Sequence, residues 1–187
     1  MNIFILSKDP VAAAQLQCDK HVVKMIVESA QMLSTAHRML DGYVEKRLSK
    51  SGKRMINYWV HKDPSKEEQL YKAVHHNHPC TVWTMESNAN YEWHYKHFIA
   101  LCQEYQFRYD KIHATQTKLQ EVLKRAPSNI PWTNLYTQFK LAMKNEPQCI
   151  HPDDPIRSYQ EYYQTKQDRF KMVWSKRPIP EWFEVAA

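Results

Sequence analysis

Glycine is nearly absent from this chain, with two residues in 187 against ten prolines. Tight turns and left-handed helix caps draw on glycine, so a sheet-rich fold with many hairpins is excluded. Helices punctuated by proline are the alternative, and the abundance of Lys, Gln, Glu, Ala and Met supports them. Long apolar runs are missing too. No stretch approaches the ~18 uninterrupted apolar residues of a membrane span, and the opening MNIFILSKDP has neither the basic lead nor the long apolar core of a secretory signal. These absences predict a soluble protein of the cytoplasm. The four cysteines, Cys18, Cys80, Cys102 and Cys149, show no paired short spacing, which disfavours a zinc ribbon and a disulfide framework and predicts free thiols. No GxSxG, phosphate loop, HExxH or Cys-His signature occurs.

What is present begins with a helix-period segment from Cys18 to Leu40. Val22, Met25, Ile26, Ser29, Met32, Leu33 and Ala36 fall on one face and read as core, while His21, Lys24 and Glu28 form a polar stripe. Two readings of the stripe stand side by side. Lys24 and Glu28 are four apart and make a plain surface ion pair; alternatively Glu28, seven residues from His21, carries chemistry.

The rest of the chain reads as one mainly α, compact domain with a short extended N-terminal segment. Asp9-Pro10, Asp63-Pro64 and Asp154-Pro155 are helix starts. They predict a short first helix over 10–17, a helix over 63–74 and a final helix over 154–174, with the long helix over 19–40 stopped at Asp41-Gly42. Residues 43–60, with Ser51-Gly52 between basic arms, read as a small hairpin or a flexible excursion. Thr81 to Tyr109 is a long helical region interrupted near Ser87-Asn88, and Thr115 to Arg125 is a further amphipathic helix. Residues 127–153 are proline-broken and irregular.

Formal charge is +6, and two basic groups stand out, one around Lys46, Arg47, Lys50, Lys53 and Arg54 and one around Lys166, Arg169, Lys171, Lys176 and Arg177. Separated cationic patches favour a duplex polyanion over a compact one. Aromatic residues make up 12% of the chain, and Trp59, Trp83, Tyr162 and Tyr163 are candidates for stacking on a base that has left its duplex, with core packing as the competing role. Histidines 75, 76, 78, 94 and 97 invite a metal reading, but their spacing offers no complete ligand set, so neither metal nor cofactor is expected. With no side-chain nucleophile signature, acid–base chemistry at Glu28, His21 and His78 remains, together with amine chemistry. An α-amine titrates near 7.7–8.0, so it is partly neutral and nucleophilic at cellular pH.

The ordered set formed by a short apolar start, Asp19-Lys20-His21, Glu28 on the first long helix, His78 in NHPCTVW, ALCQEYQFRY at 100–109, and Lys176, Arg177, Pro178 and Trp182 near the end resembles the pyrimidine-dimer DNA glycosylase (endonuclease V) family of phage repair enzymes. The resemblance implies a helical fold that binds double-stranded DNA as a monomer, flips a nucleotide and cleaves its glycosidic bond. In that family an N-terminal amine attacks the sugar and a glutamate assists. Carried onto this chain, Met1 supplies the amine and Glu28 the carboxylate, with His21 and His78 orienting that carboxylate or the sugar. Lys20, Lys24, Lys46, Arg47, Lys50, Arg54, Lys166 and Arg169 would hold phosphates. The departures are Val27, where the family has Arg, and Met1-Asn2 at the start, where it exposes a small residue; insertions fall at about 43–62 and 127–153. Those departures leave two other readings open: a DNA base-hypermodification enzyme on a glycosylase-like scaffold, and a non-enzymatic, virion-associated DNA-binding protein.

Overall fold

The computed structural model describes residues 1–185 and is mainly helical, with one small sheet. Helix α1 (Pro10–Gln15) starts as the Asp-Pro signal predicts: Asp9 Oδ1 accepts the Ala12 N–H at 2.7 Å, satisfying a donor that the first turn would leave unpaired. Helix α2 spans Asp19–Leu40, and all seven positions assigned to its core face are buried. The antiparallel hairpin β1 (Gly42–Leu48) and β2 (Met55–His61) follows at once, pairing Gly42 with His61 and Leu48 with Met55. It turns through Ser49–Arg54, where Gly52 takes a φ of 70°. The excursion at 43–60 is therefore an ordered hairpin.

Helix α3 (Pro64–Gln69) ends earlier than the pattern predicts. The Arg38 guanidinium, buried at the foot of α2, collects the carbonyls of Glu67, Leu70 and Tyr71 and so stabilises a non-helical path after Gln69. The region from Thr81 to Tyr109 is two helices, α4 (Pro79–Met85) and α5 (Asn88–Tyr109), divided at Ser87, whose Oγ caps α5 through the Asn90 N–H. Helix α6 (Ala114–Leu119) and α7 (Pro155–Gln164) are both shorter than expected. Residues 165–168 continue α7 as a 3₁₀ turn, and the chain is then irregular toward Trp174, whose indole N–H is taken by the Leu16 carbonyl at 2.9 Å. Residues 120–154 hold only turns and one short 3₁₀ segment, in accord with their prolines.

α2, α4 and α5 pack around one contiguous core that also takes in Ile3–Leu6, Tyr159, Tyr163 and Trp174. The irregular 130–143 segment is bound to this core by polar contacts: Asn90 bonds Thr137 through both its amide nitrogen and its amide oxygen, and Asn88 bonds Asn134 in the same way. No helix among the described residues is long and apolar enough to cross a membrane.

Candidate active site at the chain start

The first residues reach Glu28 because the chain bends sharply at Phe4. Phe4 has a φ of 54°, a left-handed conformation that costs an aromatic residue roughly 1–3 kcal/mol. Its burial offsets that cost: the ring stacks on His21 at 4.7 Å and lies edge-on to Tyr163 at 5.0 Å. Two bonds fix the bend. The Asn2 side-chain oxygen accepts the Phe4 N–H at 2.8 Å, and Gln17 donates to the Ile3 carbonyl at 3.1 Å.

The backbone N–H of Asn2 thereby donates to Glu28 Oε2 at 2.8 Å, and the Met1 nitrogen lies 3.7 Å from the same oxygen. The other carboxylate oxygen, Oε1, is 3.4 Å from Lys24 Nζ. One oxygen of Glu28 thus makes the ion pair with Lys24, and the other meets the start of the chain. Lys24 is exposed, and an exposed pair of this kind contributes about 0–1 kcal/mol. Oε2 instead faces the start of the chain from a mostly buried position.

His78 caps α4, its Nδ1 accepting the Cys80 N–H at 3.2 Å, which leaves the ring proton of the neutral form on Nε2. Burial, the Met1 ammonium and His75 hold its pKa below the ordinary histidine value, while Glu28 and the Met1 backbone act in the opposite sense. His78 is therefore a neighbour of the amine and the carboxylate. His21 plays a different part. It is buried, its Nδ1 pairs with the Tyr163 hydroxyl at 2.7 Å, and burial, reinforced by Lys24 and Lys166, lowers its pKa to about 4. A neutral ring locked under Phe4 positions the chain start rather than moving a proton.

A cavity of about 570 Å³ opens beside His78, lined also by Ala142, Asn145, Glu146, Tyr162 and Arg169. It is joined to the chain start through Asn2 Nδ2, which lies 3.4 Å from the Ala142 carbonyl. Three larger cavities, at Trp93 and Tyr136, at Arg177 and Trp182, and at Glu86 and Lys140, have none of Met1, Glu28 or His78 in their walls.

Several residues expected at the site serve elsewhere. Trp83 is fully buried against Trp93 and Phe139 and donates to the Thr137 carbonyl, and Tyr163 is fully buried on Cys18 and His21, so neither can receive a base. Trp59 lies against His76 in the hairpin region, the ring centres 4.7 Å apart and the planes tilted by 45°. Only Tyr162 of the four lines the cavity by His78. Lys166 is 5% exposed with its ammonium 3.4 Å from the centre of the Tyr162 ring, and burial together with Arg169 lowers its pKa to about 8. It is therefore no surface phosphate ligand. Arg169, Lys20, Lys24, Lys46, Arg47, Lys50 and Arg54 are exposed, though Arg47 is paired with Glu45 and lies over the Tyr58 ring. Lys176 and Arg177 are engaged by Asp110 and Glu104. Asp19 of the Asp19-Lys20-His21 run is a structural anchor that holds Arg108 and Ser175.

The thiols are excluded as nucleophiles by their surroundings: all four cysteines are free and buried, and burial raises each one, Cys80 to about 11 and Cys102 to about 12. His94 and His97 are core histidines, bonded to Thr84 and to the Pro10 carbonyl. Asn2, Phe4 and the 142–146 wall escaped sequence reading; the lone signal was the polar Asn2 inside an otherwise apolar run. Comparison with protein-family models, with curated proteins and with solved structures finds no match for this chain.

Proposed function

We propose that this protein is a base-flipping DNA glycosylase, with AP-lyase activity, acting on damaged or modified pyrimidines in double-stranded DNA. The observation that carries the reading is the 3.7 Å approach of the Met1 nitrogen to Glu28 Oε2, beside a cavity of a size that suits a single base. The Met1 amine, once it has given up its proton, attacks the sugar C1′. The bond from C1′ to the base breaks, and the base leaves with the bonding pair and takes up a proton; the C1′–O4′ bond then opens, O4′ keeping the bonding pair and taking up the amine proton, which gives an imine. Protonated, that imine is an electron sink. Glu28 then removes a proton from C2′, and the C3′–O bond breaks with the phosphate as leaving group. A carboxylate is suited to both duties, since it stabilises the iminium charge and accepts the proton that elimination releases. Tyr162 offers the flipped base a face, and Arg169 and Lys144 give the cavity rim a positive charge that favours a nearby phosphate.

The test is borohydride trapping. Protein incubated with a duplex bearing an abasic site and then reduced should yield a covalent complex, with the DNA attached to the N-terminal peptide in a mass spectrum. Blocking the amine by acetylation, or extending the chain ahead of Met1, should abolish the complex while duplex binding persists. A trapped lysine, or no trapped species together with intact binding, refutes the amine mechanism. The second outcome favours the reading the cationic rim also supports, a base-modifying enzyme that binds an anionic, activated pyrimidine derivative without cutting the strand.

A further inference from the structure

The far end of α2 gathers three groups that the proposed reaction does not use. His37 is in the last turn of the helix, Asp41 is its C-cap and His61 ends β2; one ligand atom from each lies within 4.8 Å of the others, and all three residues are buried. Among the described residues, His37 Nδ1 and His61 Nε2 have no hydrogen-bond partner. A buried polar atom left unpaired costs roughly 1–3 kcal/mol. Two such atoms in a buried cluster with a carboxylate call for a common partner.

The surroundings are those of a ligand set. His37 Nε2 is 2.9 Å from the Tyr91 hydroxyl, and that hydroxyl donates onward to the Leu123 carbonyl, so the ring proton sits on Nε2 and the Nδ1 lone pair is free. Metal-binding histidines characteristically spend their other N–H in this way. Asp41 is held just as firmly. Its oxygens accept the backbone N–H groups of Ser128 and Asn129 at 2.8 and 2.9 Å and the Asn129 amide at 3.0 Å, which fixes the carboxylate and still leaves it lone pairs.

We infer that His37 Nδ1, His61 Nε2 and the Asp41 carboxylate bind one borderline divalent cation of the zinc class, clamping the root of the β1–β2 hairpin to the end of α2. Two imidazoles and a carboxylate are a common three-residue donor set for zinc, water or a backbone oxygen completing the four. Ligands on one tetrahedral ion stand roughly 3.4 Å apart, so small side-chain rotations close the set. The proton balance is explicit. The neutral His61 ring accepts the Asp63 N–H on Nδ1 and carries its own proton on Nε2; on binding, the metal takes Nε2, the proton moves to Nδ1, and the Asp63 N–H, on an exposed turn, is hydrated instead. The Lys66 ammonium is the opposing charge near both rings, and it sets the affinity below that of an isolated site.

The experiment uses the full chain, stripped with chelator and desalted, then titrated with zinc chloride by calorimetry and followed by thermal melting. One zinc per chain and a raised melting temperature are expected. In His61→Gln the affinity should fall at least about 10-fold, whereas a His75→Gln/His76→Gln protein, lacking two histidines outside the cluster, should bind as the parent does. The proposal is overturned if the stripped chain takes up no stoichiometric zinc, or if uptake survives His61→Gln and disappears with His75 and His76. X-ray absorption of the zinc-loaded parent protein stands independent of any variant's folding: two imidazoles in the first coordination sphere support the site, and one or none excludes it.

Discussion

The two ends of α2 treat a carboxylate in parallel ways and put it to different uses. In the first half of the helix, Glu28 accepts a single backbone N–H from Asn2, has the exposed Lys24 on one side, and is linked through Asn2 to the wall of a cavity. At the finish, Asp41 accepts two backbone N–H groups and an amide from the 128–129 turn and shares a closed space with two histidines. One helix fixes both. The difference lies in saturation: a carboxylate with spare acceptor capacity and an adjoining space can act on a substrate, while one tied into the chain on several sides holds elements together. Chemistry is accordingly expected at Glu28 and stability at the Arg38–Asp41 end.

That contrast can be broken most decisively at Glu28. Glu28→Gln should lower strand-cleaving or base-releasing activity by about 10²–10⁴-fold, with the melting temperature close to that of the parent; an unchanged rate removes the carboxylate from the mechanism, and a collapse of the fold would make the two ends alike. The converse applies to Arg38, which is buried and gives hydrogen bonds to the carbonyls of Trp59, Glu67, Leu70 and Tyr71 besides its ion pair with the Glu67 carboxylate. Arg38→Met should destabilise by about 3–5 kcal/mol in chemical denaturation, since it strands a carboxylate and four carbonyls. Near the first end, Lys166 gives a pH test. Its folded pKa of about 8 lies below the roughly 10.4 of an unfolded lysine, so the folded state binds fewer protons in between and stability should rise with pH from about 8 to about 10.4, by on the order of 2 kcal/mol. Lys166→Met should flatten that rise in pH-dependent melting. The smallest effect belongs to Lys24→Met: an exposed partner is lost, and stability should move by less than about 1 kcal/mol while cleavage persists. A large loss of activity there would give Lys24 a part in the reaction.

Much of the helical frame was legible because its signals are local. The bounds of α2 follow from hydrophobic period and the Asp41-Gly42 stop, and each Asp-Pro pair opens a helix because a carboxylate and a donor-free nitrogen suit the first turn. Helix ends were less legible when distant groups decided them. Nothing between Leu70 and Val74 says that Arg38 will capture the carbonyls there. The same holds for the sites. The spacing of His21 and Glu28 pointed to α2, but placing Asn2 against Glu28 takes the left-handed turn at Phe4, an unusual conformation for an aromatic residue. His37, Asp41 and His61 converge only after β1 and β2 have paired in register, so no linear spacing could announce them.

Gly42 gives the hairpin its mechanical character. A methyl group built there would stand 2.3 Å from the carbonyl oxygens of both Arg38 and Val60, so backbone meets backbone with no compliant side chain between. A joint of that kind transmits load rather than absorbing it. A side chain at position 42 would therefore have to part the root of the hairpin from the last turn of α2.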